Sequence, residues 1–269
     1  MTKMKNLQLQ YQGFLNTPNL WLKNHILGMQ QFKLLHTTLK VNDLNNHKLR
    51  LGKLVERFVG LQLKEDDTVT ILAENIQIQN GKRTIGEIDC LLKKEQQPIH
   101  LEIIYKFYLY DASVGSTEIE HFIGPNRKDS FLEKLTKLKE KQLPLLYHKQ
   151  TKPLLKKLGI PAETIQQQVC FKAQLYMPFS VKKAVINVVN PACIQGYYYQ
   201  INQLEQFANC KFFIPEKKDW LIYKPNPNTW LDYASFITEV KLLLNQEKSP
   251  LCWIKKPNNE TEKCFVVWW

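Results

Sequence analysis

Three segments decide how this 269-residue sequence is read: Leu51-Gly-Lys-Leu-Val-Glu56, Thr84-Ile-Gly-Glu-Ile-Asp89 and His100-Leu-Glu102-Ile-Ile-Tyr-Lys106. In the first, Leu51, Leu54, Val55 and Phe58 recur at helical spacing. That predicts an amphipathic helix over residues 48–63, with Glu56 off the centre of its apolar stripe. Gly52 and Gly60 lie four residues to either side of Glu56, on the same face. Glycine costs a helix interior about 1 kcal/mol relative to alanine. The pair therefore points to a close approach beside that acid, by a ligand or by a neighbouring element.

The second segment belongs to a hairpin. Residues 68–79 are rich in Thr, Val and Ile, Asn80-Gly81 is a strong two-residue turn signal, and residues 82–92 return as the second strand. A period of two puts Glu87 and Asp89 on one face and Ile88 and Cys90 on the other. In the third segment Pro98 opens a strand over residues 99–109, on which His100, Glu102, Ile104 and Lys106 share a face. Burying an unpaired carboxylate in so apolar a strand is strongly unfavourable, so Glu102 must pair with a cation or hold a metal.

Working outward, residues 111–128 form a polar loop, and a helix capped by Asp129 or Ser130 runs to about Gln142. Its buried side is Phe131, Leu132, Leu135 and Leu138; its other side carries Lys134, Lys137, Lys139 and Lys141. Such a face is a solvated one or lies along a phosphate backbone. Residues 169–176 form a further strand. Upstream, the apolar residues of 19–39 suit one or two short helices packed on the main domain, and the polar break 42–47 can cap the next helix. Beyond Pro178, short strands at 184–189, 196–201, 211–214, 220–223, 251–255 and 264–268 accompany a helix at 233–245. Tyrosines and tryptophans interleave with lysines there, which suits an aromatic core first and base stacking second. The expected fold class is thus α/β (α+β): a helical extension (1–47), a core of mixed sheet and helices (48–177) and a smaller α+β unit (178–269).

Composition narrows the function. Hydrophobic residues make up 44% of the chain, enough for a real core. The 37 Lys and Arg against 25 Asp and Glu give a formal charge of +12, which suits a phosphate-rich partner. Six cysteines without a C-x-x-C pair argue for reduced thiols rather than a zinc ribbon or a disulfide framework. No segment reads as a signal peptide or a membrane span, so a cytoplasmic location is expected.

Carboxylates gathered from separate elements make a hard oxygen site that fits Mg²⁺ or Mn²⁺. With a lysine nearby, the chemistry is phosphodiester hydrolysis, water activated at the metal attacking in line. The order helix, hairpin, strand, helix, strand, with Glu56, Gly-Glu-Ile-Asp89, Glu102 and a following lysine, resembles the PD-(D/E)XK nuclease superfamily over residues 48–177. More narrowly, Gly-Glu-Ile-Asp89, Glu102-Ile-Ile-Tyr-Lys-Phe-Tyr-Leu109 and Gly124-Pro-Asn126 look like the bacterial domain of unknown function 1853 over most of the chain. The superfamily resemblance implies a restriction-endonuclease-like sheet flanked by helices, with Asp89 as central metal ligand, Glu102 as the second, and Glu56 as an accessory ligand or water-orienting group. It implies Lys106 as the catalytic lysine, and nucleic acid, DNA before RNA, as the partner along Arg127, Lys128, Lys134 and Lys137. The lysine departs from the pattern. One intervening residue would place it about 7 Å from the acid along a strand, whereas Lys106 lies about 13 Å from Glu102. A bulge, an intervening phosphate or a lysine from the next helix, such as Lys134, would close that gap. Failing these, the expectation becomes a nuclease fold that binds nucleic acid without turnover, or a structural ion-pair network around Lys106.

Overall fold

The structure is a computed structural model and describes residues 2–22, 26–41, 49–180, 186–225 and 227–269. Alternating Val, Ile and Leu segments build ten strands: β1 (Gln30–Gln31), β2 (Val69–Asn80), β3 (Arg83–Lys94), β4 (Gln97–Tyr110), β5 (Phe122–Ile123), β6 (Gln166–Pro178), β7 (Ile194–Gln200), β8 (Lys211–Phe213), β9 (Leu251–Lys255) and β10 (Thr261–Val267). They form one mixed sheet in the order β2-β3-β4-β6-β7-β10-β9-β8, with β1 paired to β6 and β5 to β4. The inner strands β4, β6, β7 and β10 run parallel, and both flanks are antiparallel. Parallel strands must be covered on both faces. Helices α1 (Thr2–Asn16), α2 (Leu51–Lys64), α3 (Phe131–Lys137), α4 (Lys152–Leu158) and α5 (Tyr233–Leu244) flank the sheet.

On one face Tyr11 and Phe14 of α1 pack against Phe58 of α2, with ring centroids 5.3 and 5.6 Å apart. On the other, Phe131 and Leu135 of α3 join Trp21 and Phe171 in a second core. Phe236 of α5 stacks on Phe212 at 4.1 Å in a third. The strands after residue 178 continue the same hydrogen-bonded sheet, because β7 docks in parallel register on β6. No helix among the described residues is long and apolar enough to cross a membrane.

Some local expectations differ from what forms. The N-terminal helix lies at Thr2–Asn16, and the described part of 19–39 is extended. The reason is tertiary: the Leu20 and Phe32 amides donate to the Phe171 and Val169 carbonyls, so this stretch lies along β6. Trp220 sits in a 3₁₀ turn (Lys217–Leu221) rather than a strand, and residues 186–189 are irregular, while 184–185 and the polar break 42–47 lie outside the described residues. The helix expected to reach Gln142 changes register at a π-turn (Leu138–Gln142) and continues as a 3₁₀ turn (Leu143–Tyr147).

What positions the site is a break in the sheet. The β3–β4 ladder runs from Lys94↔Gln97 to Cys90↔Leu101 and stops. Beyond it β3 stays with β2 as far as Asn80↔Arg83, and β4 stays with β6 as far as Leu109↔Tyr176. The hairpin peels away at the level of Asp89 and Glu102.

Candidate metal centre and its cleft

Where the ladder ends, a backbone donor of β4 loses its partner, and a buried amide must find another. The Asp89 side chain supplies it: Oδ2 accepts from the Ile103 amide at 2.9 Å. One carboxylate oxygen of Asp89 is thereby pinned at the fork. The period-two alternation of β3 puts Glu87 on the same side, and α2 crosses the fork with Glu56 directed into it. One carboxylate oxygen from each of Glu56, Glu87 and Asp89 lies within 4.8 Å of the others. At an effective dielectric of about 20, two unit charges at that separation repel by roughly 3 kcal/mol.

The local electrostatics follow from that crowding. Burial, then the Glu102 carboxylate, pushes Asp89 up to about 8. Glu56 is also raised, by burial first, with Lys53 opposing. Lys53, one turn before Glu56, donates to Glu56 Oε2 at 2.7 Å, to Glu87 Oε1, and to Asn75 Oδ1 at 3.1 Å. Burial works against its charge, but the bonds to Glu56 and Glu87 hold it above the ordinary lysine value. Its ammonium occupies the ground that a cation among these acids would occupy.

Glu102, directly across the opened ladder, is fully buried. Its carboxylate is already satisfied, by His100 Nε2 at 3.0 Å and by the amide of Gln142. Gln142 belongs to the π-turn, an irregularity that often marks functional sites. The Gln142 side-chain oxygen in turn accepts from Lys134 Nζ at 2.6 Å. Lys134, expected on an outward face, is folded inward; burial, with Lys106 and Lys137 adding, lowers it to about 8 against the pull of Glu102. Ile104, the residue two beyond Glu102, is buried. The lysines on this side therefore come from helices, Lys53 of α2 on Glu56 and Glu87 and Lys134 of α3 on Gln142, rather than from β4.

The remaining expected residues are placed as follows. Lys106 pairs with Asp129 Oδ2 at 2.5 Å, and Asp129 is packed so closely on Gly124 that a Cβ there would lie 2.0 Å from its Oδ1. Arg127 pairs with Asp111 at 2.8 Å and stacks over the Trp269 ring at 4.5 Å, while Trp269 Nε1 donates to the Pro125 carbonyl. The Gly124-Pro-Asn126 turn thus holds the C-terminal tryptophan. Lys128 is exposed in the same turn. Lys137 lines, with Lys53, Glu87, Asp89, Lys141 and Gln142, a cleft of about 330 Å³ at the fork.

Asp89 and Glu56 are thus brought together with Glu87, whereas Glu102, expected as the second ligand, lies outside that group and is bonded to His100 and Gln142; Lys106 and Arg127 pair with Asp129 and Asp111 instead. Glu87, Lys53, His100 and Gln142 were not among the expected site residues. The signal for Glu87 was its i, i+2 relation to Asp89; for Lys53, its helical spacing from Glu56. The family model described as Domain of unknown function (DUF1853) matches residues 4–267, so the chain belongs to that family. No curated protein and no solved structure matches it.

Proposed function

We propose that this member of the DUF1853 family is a divalent-metal-dependent phosphodiesterase acting on nucleic acid, built as a PD-(D/E)XK-like nuclease. One observation carries the reading: Glu56, Glu87 and Asp89 converge within 4.8 Å where the sheet forks, and Glu87 and Asp89 line a cleft together with Lys53, Lys137 and Lys141. The donor set fits Mg²⁺ or Mn²⁺, hard cations that take carboxylate oxygens. Such a cation supplies charge neutralisation and Lewis acidity at the scissile phosphate. Asp89 would be the central ligand, held in position by the Ile103 amide, with Glu56 and Glu87 beside it. Glu102 acts through the cleft wall: it fixes Gln142, and Gln142 fixes Lys134. Lys134 then presents an ammonium to the negative charge that develops on phosphate in the transition state. Lys137 and Lys141 line the path of the backbone. In this reading the chain works in the cytoplasm, where its six buried thiols stay reduced.

A second reading, a nuclease fold that binds nucleic acid without turnover, draws on Lys53, which already neutralises Glu56 and Glu87. One experiment separates the two. Labelled single- and double-stranded oligonucleotides are incubated with the wild-type chain, Asp89→Asn and Glu87→Gln, in Mg²⁺, Mn²⁺ or chelator. Products that need metal and vanish in both variants support the enzyme; retention without metal-dependent product leaves the binding protein.

A further inference from the structure

The two glycines that flank Glu56 have different surroundings. At Gly60 an added Cβ would lie 2.9 Å from Glu74 Oε1, the end of a side chain from β2. At Gly52 an added Cβ would meet nothing within 4 Å. Packing does not explain Gly52; it faces open space. That space is a second pocket of about 670 Å³ at the first turn of α2, lined also by Tyr105, Lys106 and Trp220. Its size falls in the range that encloses a small molecule, about 300–1,000 Å³, and is far too small for a duplex.

The lining has a definite chemistry. Arg50, Lys106, Lys217 and Lys218 converge on it with a single acid, Asp129. Trp220 forms a wall against the edge-on rings of Phe107 and Phe265, and Lys217 lies over the Trp220 ring at 5.6 Å. Between the end of the β3 ladder and β5, the β4 segment 102–108 has no neighbouring strand on this side among the described residues. The pocket occupies part of that gap, at Tyr105, Lys106 and Phe107. An excess of cations beside a flat aromatic wall is complementary to phosphate attached to an unpaired base.

We propose that this pocket holds a phosphate and an unstacked base of a single strand, a few nucleotides from the bond at the carboxylate cluster. The inference deepens the phosphodiesterase reading and rests on it for direction: the substrate is single-stranded nucleic acid, or a duplex with a single-stranded end, threaded past the first turns of α2. Gly52 keeps the passage open. Arg50 and Lys217 contact phosphate, and Trp220 stacks on the base.

The test measures binding of a fluorescent single-stranded oligodeoxynucleotide in EDTA, so that it does not depend on the metal site. Gly52→Leu places a side chain into open space and Arg50→Gln/Lys217→Gln changes two exposed groups, so both variants keep the fold, which thermal melting verifies. Each should weaken binding about tenfold, and the double substitution should make the log K against log salt slope shallower by about 1.4, two phosphates at roughly 0.7 each. Unlabelled single strand should compete far better than a blunt duplex of the same length. Unchanged affinity and slope in folded variants would overturn the proposal, as would equal competition by duplex or by an acidic peptide. Metal-dependent cleavage with an indifferent pocket sinks this inference alone; pocket-dependent binding without cleavage sinks only the catalytic reading.

Discussion

Two of the places where the sheet encloses charge, around Lys263 and at the fork, are handled in opposite ways. On β10, Lys263 is enclosed, and its ammonium donates to Gln174 Oε1 at 2.8 Å and to the carbonyls of Trp220 and Ile222 at 2.5 and 3.2 Å. Gln174 goes on to Tyr105 and Tyr176, and Tyr105 to Thr17, so the network closes on neutral partners across β4, β6, β10 and α1. At the fork, Glu56, Glu87 and Asp89 crowd within 4.8 Å, and Lys53 bonds to the first two. A satisfied network ties elements together. Like charges crowded in a cleft instead strain one another, and perturbed groups of this kind cluster at functional sites.

The largest test of that contrast is at Asp89. Asp89→Asn keeps an acceptor for the Ile103 amide, so the fold should hold while metal-dependent cleavage falls at least about 100-fold, beyond the 10–100-fold typical of supporting residues. Cleavage rates and a urea melt on the same protein measure both. The closed network should fail the other way. Lys263→Met strands two buried carbonyls and should cost about 2–4 kcal/mol of stability in urea, with activity per folded molecule unchanged.

pH sharpens the same comparison. Burial pushes Lys263 down to about 7 from an ordinary value near 10.5. Between those values the unfolded chain holds a proton that the folded chain lacks, so this group makes stability rise with pH from about 7 to 10.5 and contributes no slope below 7. Stability curves of wild type and Lys263→Met should diverge across that window only. The smallest effect belongs to Lys53, whose pairs are partly exposed. Lys53→Ala should change stability by less than about 1 kcal/mol, yet tighten Mn²⁺ binding about tenfold by removing a competing charge. Calorimetric titration reads the second effect; weaker binding would show that Lys53 supports the metal rather than standing in for it.

Part of the candidate site was legible because period-two and helical spacing place side chains on faces: Glu56 and Asp89 do approach each other at the fork, while Glu102 turns to His100 and Gln142. What spacing could not reveal is where strands stop pairing. The fork at Asp89 gives Glu87 its place among the acids, and it depends on β3 following β2 rather than β4. The π-turn at Leu138–Gln142 likewise brings Gln142 within reach of Lys134 Nζ at 2.6 Å, a pairing eight residues apart that regular helical spacing does not predict. Arg127, expected along the path of nucleic acid, pairs with Asp111 and lies over the Trp269 ring, contacts that local spacing does not reveal. The N-terminal helix escaped notice because its apolar residues, Leu7, Tyr11, Phe14 and Leu15, are interleaved with glutamines.

The central claim is that the fork is completed by a divalent cation. Mn²⁺ titration followed by the electron paramagnetic resonance of the free ion tests it most directly. The account predicts a saturable Mn²⁺ site in the wild-type chain, displaced by Mg²⁺ and lost in both Glu87→Gln and Asp89→Asn. Binding that is absent from the wild type, or undiminished in both variants, would contradict it.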